Sequence, residues 1–160
     1  MDGVTVRSAR SEDLPALVRL LANDPLGATR ERPTQEPSER YLRAFAAIDA
    51  DPAHEVLVAE VDRVVCGCLQ LSFLPHLTYE GGWRAQVEGV RVDPSVRGRG
   101  IGRLLFNEVL ARARARGCHL VQLTTDARRP EALAFYEALG FRHTHHGLKL
   151  HLGEEPAHER

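Results

Sequence analysis

The stretch from residue 97 to residue 103 has a composition that suits anion binding, because glycines and arginines share a turn there. The β-branched run before it predicts a strand, and the apolar spacing after it predicts a helix. A helix N-terminus presents unpaired N–H groups and about half a positive charge, and glycine lets a phosphate approach the backbone closely. The residues that carry this prediction are Arg97, Gly98, Arg99, Gly100, Ile101, Gly102 and Arg103.

The charge balance at this helix start strengthens the prediction. No acidic residue follows Arg97 until Glu108, whereas the first turn of a helix normally favours acids. Each cation near the positive helix end costs a few tenths to about 1 kcal/mol, which a bound anion would offset. The alternative is a glycine turn whose arginines are merely solvated.

The pattern is not that of the common nucleotide-binding loops. No lysine follows these glycines, so the Walker pattern is absent, and Arg103 stands where a dinucleotide loop needs its third glycine. Arg97-x-x-Gly100-x-Gly102 instead resembles the [QR]-x-x-G-x-[GA] signature of the GCN5-related N-acetyltransferase (GNAT) superfamily. Val90-x-Val92-x-Pro94 before it and the run from Ala132 to Phe141, similar to A-x-x-F-Y-x-x-L-G-F, extend the resemblance.

This resemblance implies a site for acetyl-CoA as co-substrate. It assigns to cofactor binding the seven residues from Arg97 to Arg103 and the strand residues Val90, Arg91 and Val92. We add Arg129 as a candidate, although it departs from the family's pattern. Arg129 stands where many relatives have an asparagine that contacts the cofactor. Whether Arg129 or its neighbour Arg128 reaches a phosphate stays open.

Acetyl transfer to an amine needs a base, support for an oxyanion and a proton donor for the departing thiolate. Deprotonating an alkylamine of pKa near 10.4 at neutral pH costs about 4 to 5 kcal/mol, so a carboxylate beside the cofactor is useful. Glu88 is the candidate base, directly or through water; on a regular strand it would share the inward face of Val90 and Val92. A bulge would turn it elsewhere, and a salt bridge would satisfy it.

The resemblance makes Tyr136 the candidate proton donor. The alternative for Tyr136 is a packed aromatic ring whose hydroxyl bonds to a carbonyl. A backbone N–H between Val90 and Val92 is the expected oxyanion donor. The central motif contains no cysteine, which favours direct transfer in a ternary complex, although Cys118 stays open as a nucleophile.

The elements around these residues predict an α/β fold, in which helices flank a mixed sheet in the order β-α-α-β-β-β-α-β-α-β. We expect one N-acetyltransferase domain over residues 1–152 and a flexible tail over 153–160. Strands are predicted over 4–9, 55–61, 64–74, 87–92, 118–124 and 141–152, and helices after Ser11 and over 38–50, 102–116 and 130–139.

Composition narrows the partners. The 160 residues are 43% hydrophobic and 27% charged, with a net charge of −1, which argues against nucleic acid as a partner. No apolar run is long enough for a membrane span, and three cysteines without a signal peptide favour the cytoplasm. No metal is expected, because the cysteine pair Cys66 and Cys68 and the histidines near residues 143–151 lack further ligands at suitable spacing.

The substrate is the least determined part of the prediction. The loop from Asn23 to Pro37 would lie over the acceptor cleft in proteins like this one, or it is a surface connection. Tyr79 and Trp83 either line an acceptor pocket or cover a sheet edge. A small-molecule amine is the favoured acceptor, with protein amines or a non-catalytic acyl-CoA sensor as alternatives. Apolar residues of the last strands are compatible with a homodimer.

Overall fold

The apolar runs of the sequence form a five-stranded sheet with helices packed on it, in a computed structural model that describes residues 3–152. The predicted flexible tail, residues 153–160, lies outside the described residues. The strands are β1 (Val4–Ser8), β2 (His54–Val61), β3 (Val64–Pro75), β4 (Trp83–Val92) and β5 (Cys118–Leu123). The helices are α1 (Leu14–Ala22), α2 (Glu39–Asp49), the one-turn α3 (Thr78–Gly81), α4 (Ile101–Ala115) and α5 (Pro130–Ala138).

The chain divides into two compact units, Met1–Leu123 and Thr124–Arg160. The first unit contains the whole sheet, in which the strands follow one another in chain order. β1 to β4 are antiparallel neighbours, and β5 runs parallel to β4. The sheet is therefore mixed, as predicted, and α4 makes the crossover between its parallel strands.

The sheet of the first unit is covered on both faces. On one face, α1 buries Leu14, Leu17 and Leu20 against Val58 and Cys68, with α2 residues packed at the margin. On the other face, α4 approaches β3 closely at Gly67, where an added Cβ would lie 3.2 Å from Ile101 Cγ2 and 3.3 Å from Leu105 Cδ1. Glycine at this position lets the first turns of α4 rest directly on the sheet.

Most predicted elements are confirmed, although several begin or end at other residues than predicted. Before α1, the chain makes a short 3-10 turn, Ser11–Asp13, in which the Asp13 carboxylate accepts a hydrogen bond from the Arg10 amide at 2.7 Å. β4 begins at Trp83, four residues before the strand predicted over 87–92. None of the helices in the described part of the chain is long and apolar enough to cross a membrane.

The strand predicted over residues 141–152 is wrong, because the structure assigns no strand there. Leu148, Leu150 and Leu152 alternate as in a strand, yet they are 95%, 86% and 95% exposed. An alternation of apolar and polar residues identifies a segment that can form a β-strand. The strand forms only when the edge of a neighbouring strand supplies hydrogen bonds to it.

Candidate functional site

The turn that follows β4 ends at a helix N-terminus with free backbone donors. The Asp93 carboxylate accepts hydrogen bonds from the Ser95 amide at 2.9 Å and the Ser95 hydroxyl at 2.6 Å, which fixes the start of the turn. Gly98 and Gly100 then adopt left-handed φ values of 77° and 76°. α4 begins after Gly100, and no side chain in the described range 3–152 caps it. Its first N–H groups therefore remain available to a ligand.

The arginines of this turn have no acidic partner in the part of the chain that the structure describes. Arg97, Arg99 and Arg103 are exposed, and none of them forms an ion pair with any residue that the structure describes. The Arg97 guanidinium donates only to the carbonyl of Val92, at 3.4 Å. The first turn of α4 contains no acidic residue. Cationic side chains without an acidic counterpart therefore lie beside the N-terminus of α4.

β4 is bulged just before this turn. Cys68 of β3 pairs with Arg91 and Gln70 pairs with Glu88, so one β3 residue lies opposite both Gly89 and Val90. Gly89 has a left-handed φ of 62°, as glycine commonly has in a β-bulge. The bulge shifts the alternation of side chains between the two faces of the sheet.

This shift corrects the predicted orientation of Glu88. Cys68 packs against α1, so its partner Arg91 and the nearby Glu88 lie on the α1 face. Val92 pairs with Gly67, whose face carries α4. The prediction that Glu88 shares an inward face with Val92 is therefore wrong, and the bulge named as the alternative is present. The Glu88 side chain is exposed and has no hydrogen bond or ion pair with any residue that the structure describes.

The two parallel strands, β4 and β5, stop pairing before the carboxyl end of β4. β4 pairs with β5 only as far as Val87, which lies opposite Leu123. Beyond Val87, β4 continues to Val92 and pairs with β3 alone. Within the first unit, the bulged half of β4 therefore has a free edge toward β5. Ligands of open α/β sheets commonly bind outside the carboxyl ends of parallel strands, where such an edge exposes main-chain groups.

The α1 face of the bulge carries an ion pair that the sequence patterns did not reveal. The Arg91 guanidinium lies 2.9 Å from the Asp24 carboxylate, in the loop after α1. Arg91 also donates to the Val90 carbonyl at 2.8 Å. The Arg91 guanidinium thus interacts with Asp24 and Val90 of the protein. If Arg91 binds the cofactor as predicted, it does so through its main chain.

In the second unit, Tyr136 lies in the last turn of α5, just before the glycine that ends the helix. Gly140 has a left-handed φ of 95°; its amide donates to the Glu137 carbonyl at 2.9 Å, and the Phe141 amide donates to the Tyr136 carbonyl at 3.0 Å. These two bonds form a Schellman motif. The Tyr136 ring is buried and meets the Phe141 ring edge-on at 6.0 Å. The sequence Leu139-Gly140-Phe141 predicts such a helix end, because glycine is the usual residue after the last helical turn.

The second unit also holds the remaining cationic candidates. The guanidinium of Arg128 is bonded to Asp126 at 2.9 and 3.0 Å, which lowers the pKa of that carboxyl. Arg129 is partly buried and lies at the N-cap of α5. The histidines of residues 143–151 are exposed and do not lie on a strand. Residues 3–152 contain no group of three or more His, Cys, Asp or Glu side chains suited to a metal ion.

The three thiols are all poorly suited to nucleophilic attack. Burial raises the pKa of Cys68 to about 12, and burial also raises the pKa of Cys66 and that of Cys118. Because the thiolate is the reactive form of cysteine, a raised pKa leaves little of it at neutral pH.

The predicted aromatic candidates lie at the far end of β4. Trp83 begins the strand and pairs with Cys118, about 17 Å along the strand from Glu88. Tyr79 is 69% exposed and its ring lies 4.6 Å from that of His119. These aromatics therefore surround the β3–β4 connection, and they do not adjoin the bulge.

Comparison with known protein families identifies relatives over most of this chain. The family described as acetyltransferase (GNAT) family matches residues 16–141. The crystal structure of a transcriptional regulator from Bacillus halodurans C-125 is 49% identical, with a TM-score of 0.91 over 93% of this chain and 99% of that chain.

Two curated enzymes are also similar. The chain is 35% identical over 88 residues to glucosamine 6-phosphate N-acetyltransferase of Trypanosoma brucei brucei, a match that covers 55% of this chain and 58% of that protein. It is 31% identical over 107 residues to aminoalkylphosphonate N-acetyltransferase of Salmonella typhimurium, covering 67% of this chain and 69% of that protein. The chain thus spans little more than half the length of the trypanosomal enzyme.

Proposed function

Because this chain belongs to the acetyltransferase (GNAT) family, we propose that it is an N-acetyltransferase that moves the acetyl group of acetyl-CoA to the primary amine of a small molecule. The transfer is direct, within a ternary complex. One observation carries the proposal: α4 begins without a side-chain cap, behind left-handed glycines and arginines that have no ion-pair partner among the described residues.

The cofactor's diphosphate fits this turn on chemical grounds. An added Cβ at Gly98 would meet no protein atom within 4 Å, so the main chain there is open to a ligand. The amides from Gly98 to Gly102 would bind the phosphates, and Arg97, Arg99 and Arg103 would neutralise them. The free edge of β4 from Val90 to Val92 would bind the thioester arm through main-chain groups. Arg129 is the further phosphate ligand in this proposal, and residues 1–152 act as one domain.

Glu88 acts as the base on the acceptor amine. Its carboxylate is exposed, so it can pass the amine proton to water, directly or through a bridging water molecule. It lies beside the bulge, where a main-chain N–H of the free β4 edge would stabilise the charge that develops on the acetyl oxygen.

Tyr136 supplies the proton that the departing thiolate needs. Its ring is buried and contacts the rings of Phe135 and Phe141. A tyrosine hydroxyl can donate this proton when it lies within hydrogen-bond distance of the sulfur.

Direct transfer is supported by the state of the cysteines. A covalent acyl-enzyme would need an activated thiolate, and burial raises the pKa of each of the three thiols.

In this proposal, the substrate that accepts the acetyl group is a small-molecule amine. The two curated relatives are named for glucosamine 6-phosphate and aminoalkylphosphonate, which are both amino compounds that carry a phosphorus oxyacid. Amines of this kind, each paired with its phosphorus-free analogue, therefore form the first substrate panel. Peptides with a free lysine or N-terminus test the alternative acceptor class.

Calorimetric titration with acetyl-CoA tests the cofactor site. We expect a saturable heat for the natural chain and none for Gly100→Glu, which places a carboxylate at the turn, while circular dichroism shows a folded variant. A folded natural chain that gives no heat with acetyl-CoA would refute the proposed function.

A second candidate function is a non-catalytic module that senses acyl-CoA. It is favoured by the similarity to the 49% identical Bacillus halodurans protein, which is named as a transcriptional regulator. The sensor binds acetyl-CoA without releasing free CoA thiol in the presence of any amine of the panel. Thiol release with one amine, lost in Glu88→Gln, would exclude it.

A further inference from the structure

Alternate residues of β4 bring Arg84, Gln86 and Glu88 to one face of the sheet. The residues between them, Ala85 and Val87, are 0% and 1% exposed and therefore lie on the opposite, buried face. The bulge comes only after Glu88, so it does not interrupt this alternation. The proposed base thus shares the α1 face of the sheet with an arginine that lies four residues earlier in the same strand.

Arg84 has no partner for its charge in the described part of the chain. Its Nε is buried without a hydrogen-bond acceptor, and its guanidinium forms no ion pair with any residue from 3 to 152. The side chain is only partly buried, so its terminal nitrogens are open to a ligand. A partly buried cation without a partner is unfavourable, and a bound ion is one explanation of such a group.

Two histidines lie at the Arg84 end of this row. The His76 amide donates to the Gly82 carbonyl at 3.1 Å, two residue pairs along the β3–β4 connection from Arg84. The His76 ring stacks on that of His119 at 5.2 Å, and its Nε2 is buried without a hydrogen-bond partner. Burial lowers the pKa of His76, and the nearby charges of Arg84 and His119 lower it further. His76 is therefore neutral at neutral pH, and the permanent charge at this end is that of Arg84.

The face between Arg84 and Glu88 is polar. Gln86 lies midway, and its Oε1 accepts a hydrogen bond from Nε2 of Gln122 in β5 at 2.7 Å. Ser72, the β3 partner of Gln86, lies on its other side. Side-chain amides donate and accept hydrogen bonds, so this face suits a substrate that carries hydroxyl groups.

The length of the row limits the shape of the substrate. Four residues along a strand separate Arg84 from Glu88 by about 13 Å. Hydrogen bonds of about 3 Å at each end leave about 7 Å between an amine nitrogen and an anionic group of one molecule. This span exceeds that of an α-amino acid, whose two charged groups share one carbon, and fits groups that are several bonds apart.

We propose that Arg84 determines the specificity of the acceptor site by binding a phosphate or phosphonate group, while the amine of the same molecule lies at Glu88. The inference rests on the proposed function and assigns its substrate class to a residue. The carboxylate and the guanidinium make the two ends of the row complementary to such a molecule. The planar guanidinium is suited to phosphorus oxyacids because it donates two parallel hydrogen bonds to them.

Steady-state kinetics with glucosamine 6-phosphate and glucosamine, the first matched pair of the amine panel, test this inference. The variants are Arg84→Gln, which removes the charge, and Arg84→Lys, which keeps the charge without the planar fork. Arg63→Gln is the control for the loss of one positive charge. Arg63 is exposed in the turn between β2 and β3, at the opposite end of β3 from the β3–β4 connection.

We expect the natural chain to have a kcat/KM for glucosamine 6-phosphate at least about tenfold above that for glucosamine. Arg84→Gln should lower the value for glucosamine 6-phosphate about 10- to 150-fold, as the loss of a hydrogen bond to a charged group does, and leave that for glucosamine within about twofold. Arg84→Lys should lie between the two. The melting temperature of Arg84→Gln should not fall, because no described protein group loses a hydrogen-bond partner.

Two kinetic results would overturn the inference: equal kcat/KM values for the two amines in the natural chain, or an equal loss for both amines in Arg84→Gln. The same selective loss in Arg63→Gln would also overturn it, because net charge rather than position would then be the cause.

Calorimetric titration of the CoA-saturated protein with glucosamine 6-phosphate distinguishes this inference from the proposed function. If the natural chain acetylates no amine, the proposed function fails. A heat of binding that is present in the natural chain and lost in Arg84→Gln would then still support the anion site. Heats that are absent in both proteins, or equal in both, would overturn it.

Discussion

Replacing Gly98 by alanine separates cofactor binding from backbone strain, because the same helix offers a matched control. Gly98 lies before the start of α4 with φ of 77°, and Gly117 follows its end with φ of 71°. At neither position would an added Cβ meet a protein atom within 4 Å. Gly98→Ala and Gly117→Ala therefore impose the same left-handed strain and differ only in whether the methyl group lies beside the proposed phosphate site.

The strain is worth about 1 to 2 kcal/mol for a residue other than glycine in this conformation. For a chain of 160 residues, we expect both variants to lose about 2 to 8 °C of melting temperature. Gly98→Ala should in addition lose one charge-assisted hydrogen bond to phosphate, about 1.5 to 3 kcal/mol. Its Kd for CoA should then rise about 10- to 150-fold, while Gly117→Ala binds as the natural chain does.

Differential scanning calorimetry and isothermal titration with CoA measure the two effects separately. Equal CoA affinity of Gly98→Ala and the natural chain would refute the assignment of the diphosphate to this turn. An equal loss of affinity in Gly117→Ala would show that strain transmitted through α4, rather than the methyl group at the turn, weakens binding.

Three further outcomes are expected. Glu88→Gln should lower kcat about 10²- to 10⁴-fold and leave the affinity for CoA unchanged. The melting temperature should also be unchanged, because the Glu88 side chain is exposed. An unchanged kcat would show that Glu88 is not the base. Tyr136→Phe keeps the ring packing and should lower kcat about 10²-fold or more, whereas full activity in stopped-flow thiol release would leave Tyr136 as a packed aromatic. Hydrogen bonds from Arg7 lower the pKa of the Asp13 carboxyl, and burial opposes this effect. The ionised Asp13 carboxylate therefore stabilises the fold fully above about pH 3.9, the pKa of an unperturbed Asp. This stabilisation is lost as the pH falls through the lowered pKa. Asp13→Asn should therefore show a shallower fall in melting temperature between pH 5 and pH 2, and identical slopes would contradict the assignment.

Local patterns determined the elements and the turn that would bind the cofactor. The helix from Ile101 to Ala115 ends before Gly117, and Pro130 opens the next helix, as their sequence signals predict. Such signals are readable because caps, glycine turns and apolar periodicity act between residues close in the chain. The free N-terminus of α4 follows from the same local rules.

Only the tertiary structure decided on which face of the sheet the residues of the bulged strand lie. The bulge at Gly89 arises from the register of β3 against β4, and it moves Glu88 to the α1 face, which no property of the β4 sequence alone specifies. The Asp24–Arg91 pair joins residues far apart in the chain, so its members appeared as unrelated charges. Residues 141–152 have strand alternation without a strand, because pairing depends on a neighbouring edge. Sequence determines what a segment is able to form, and long-range register and packing select what it does form.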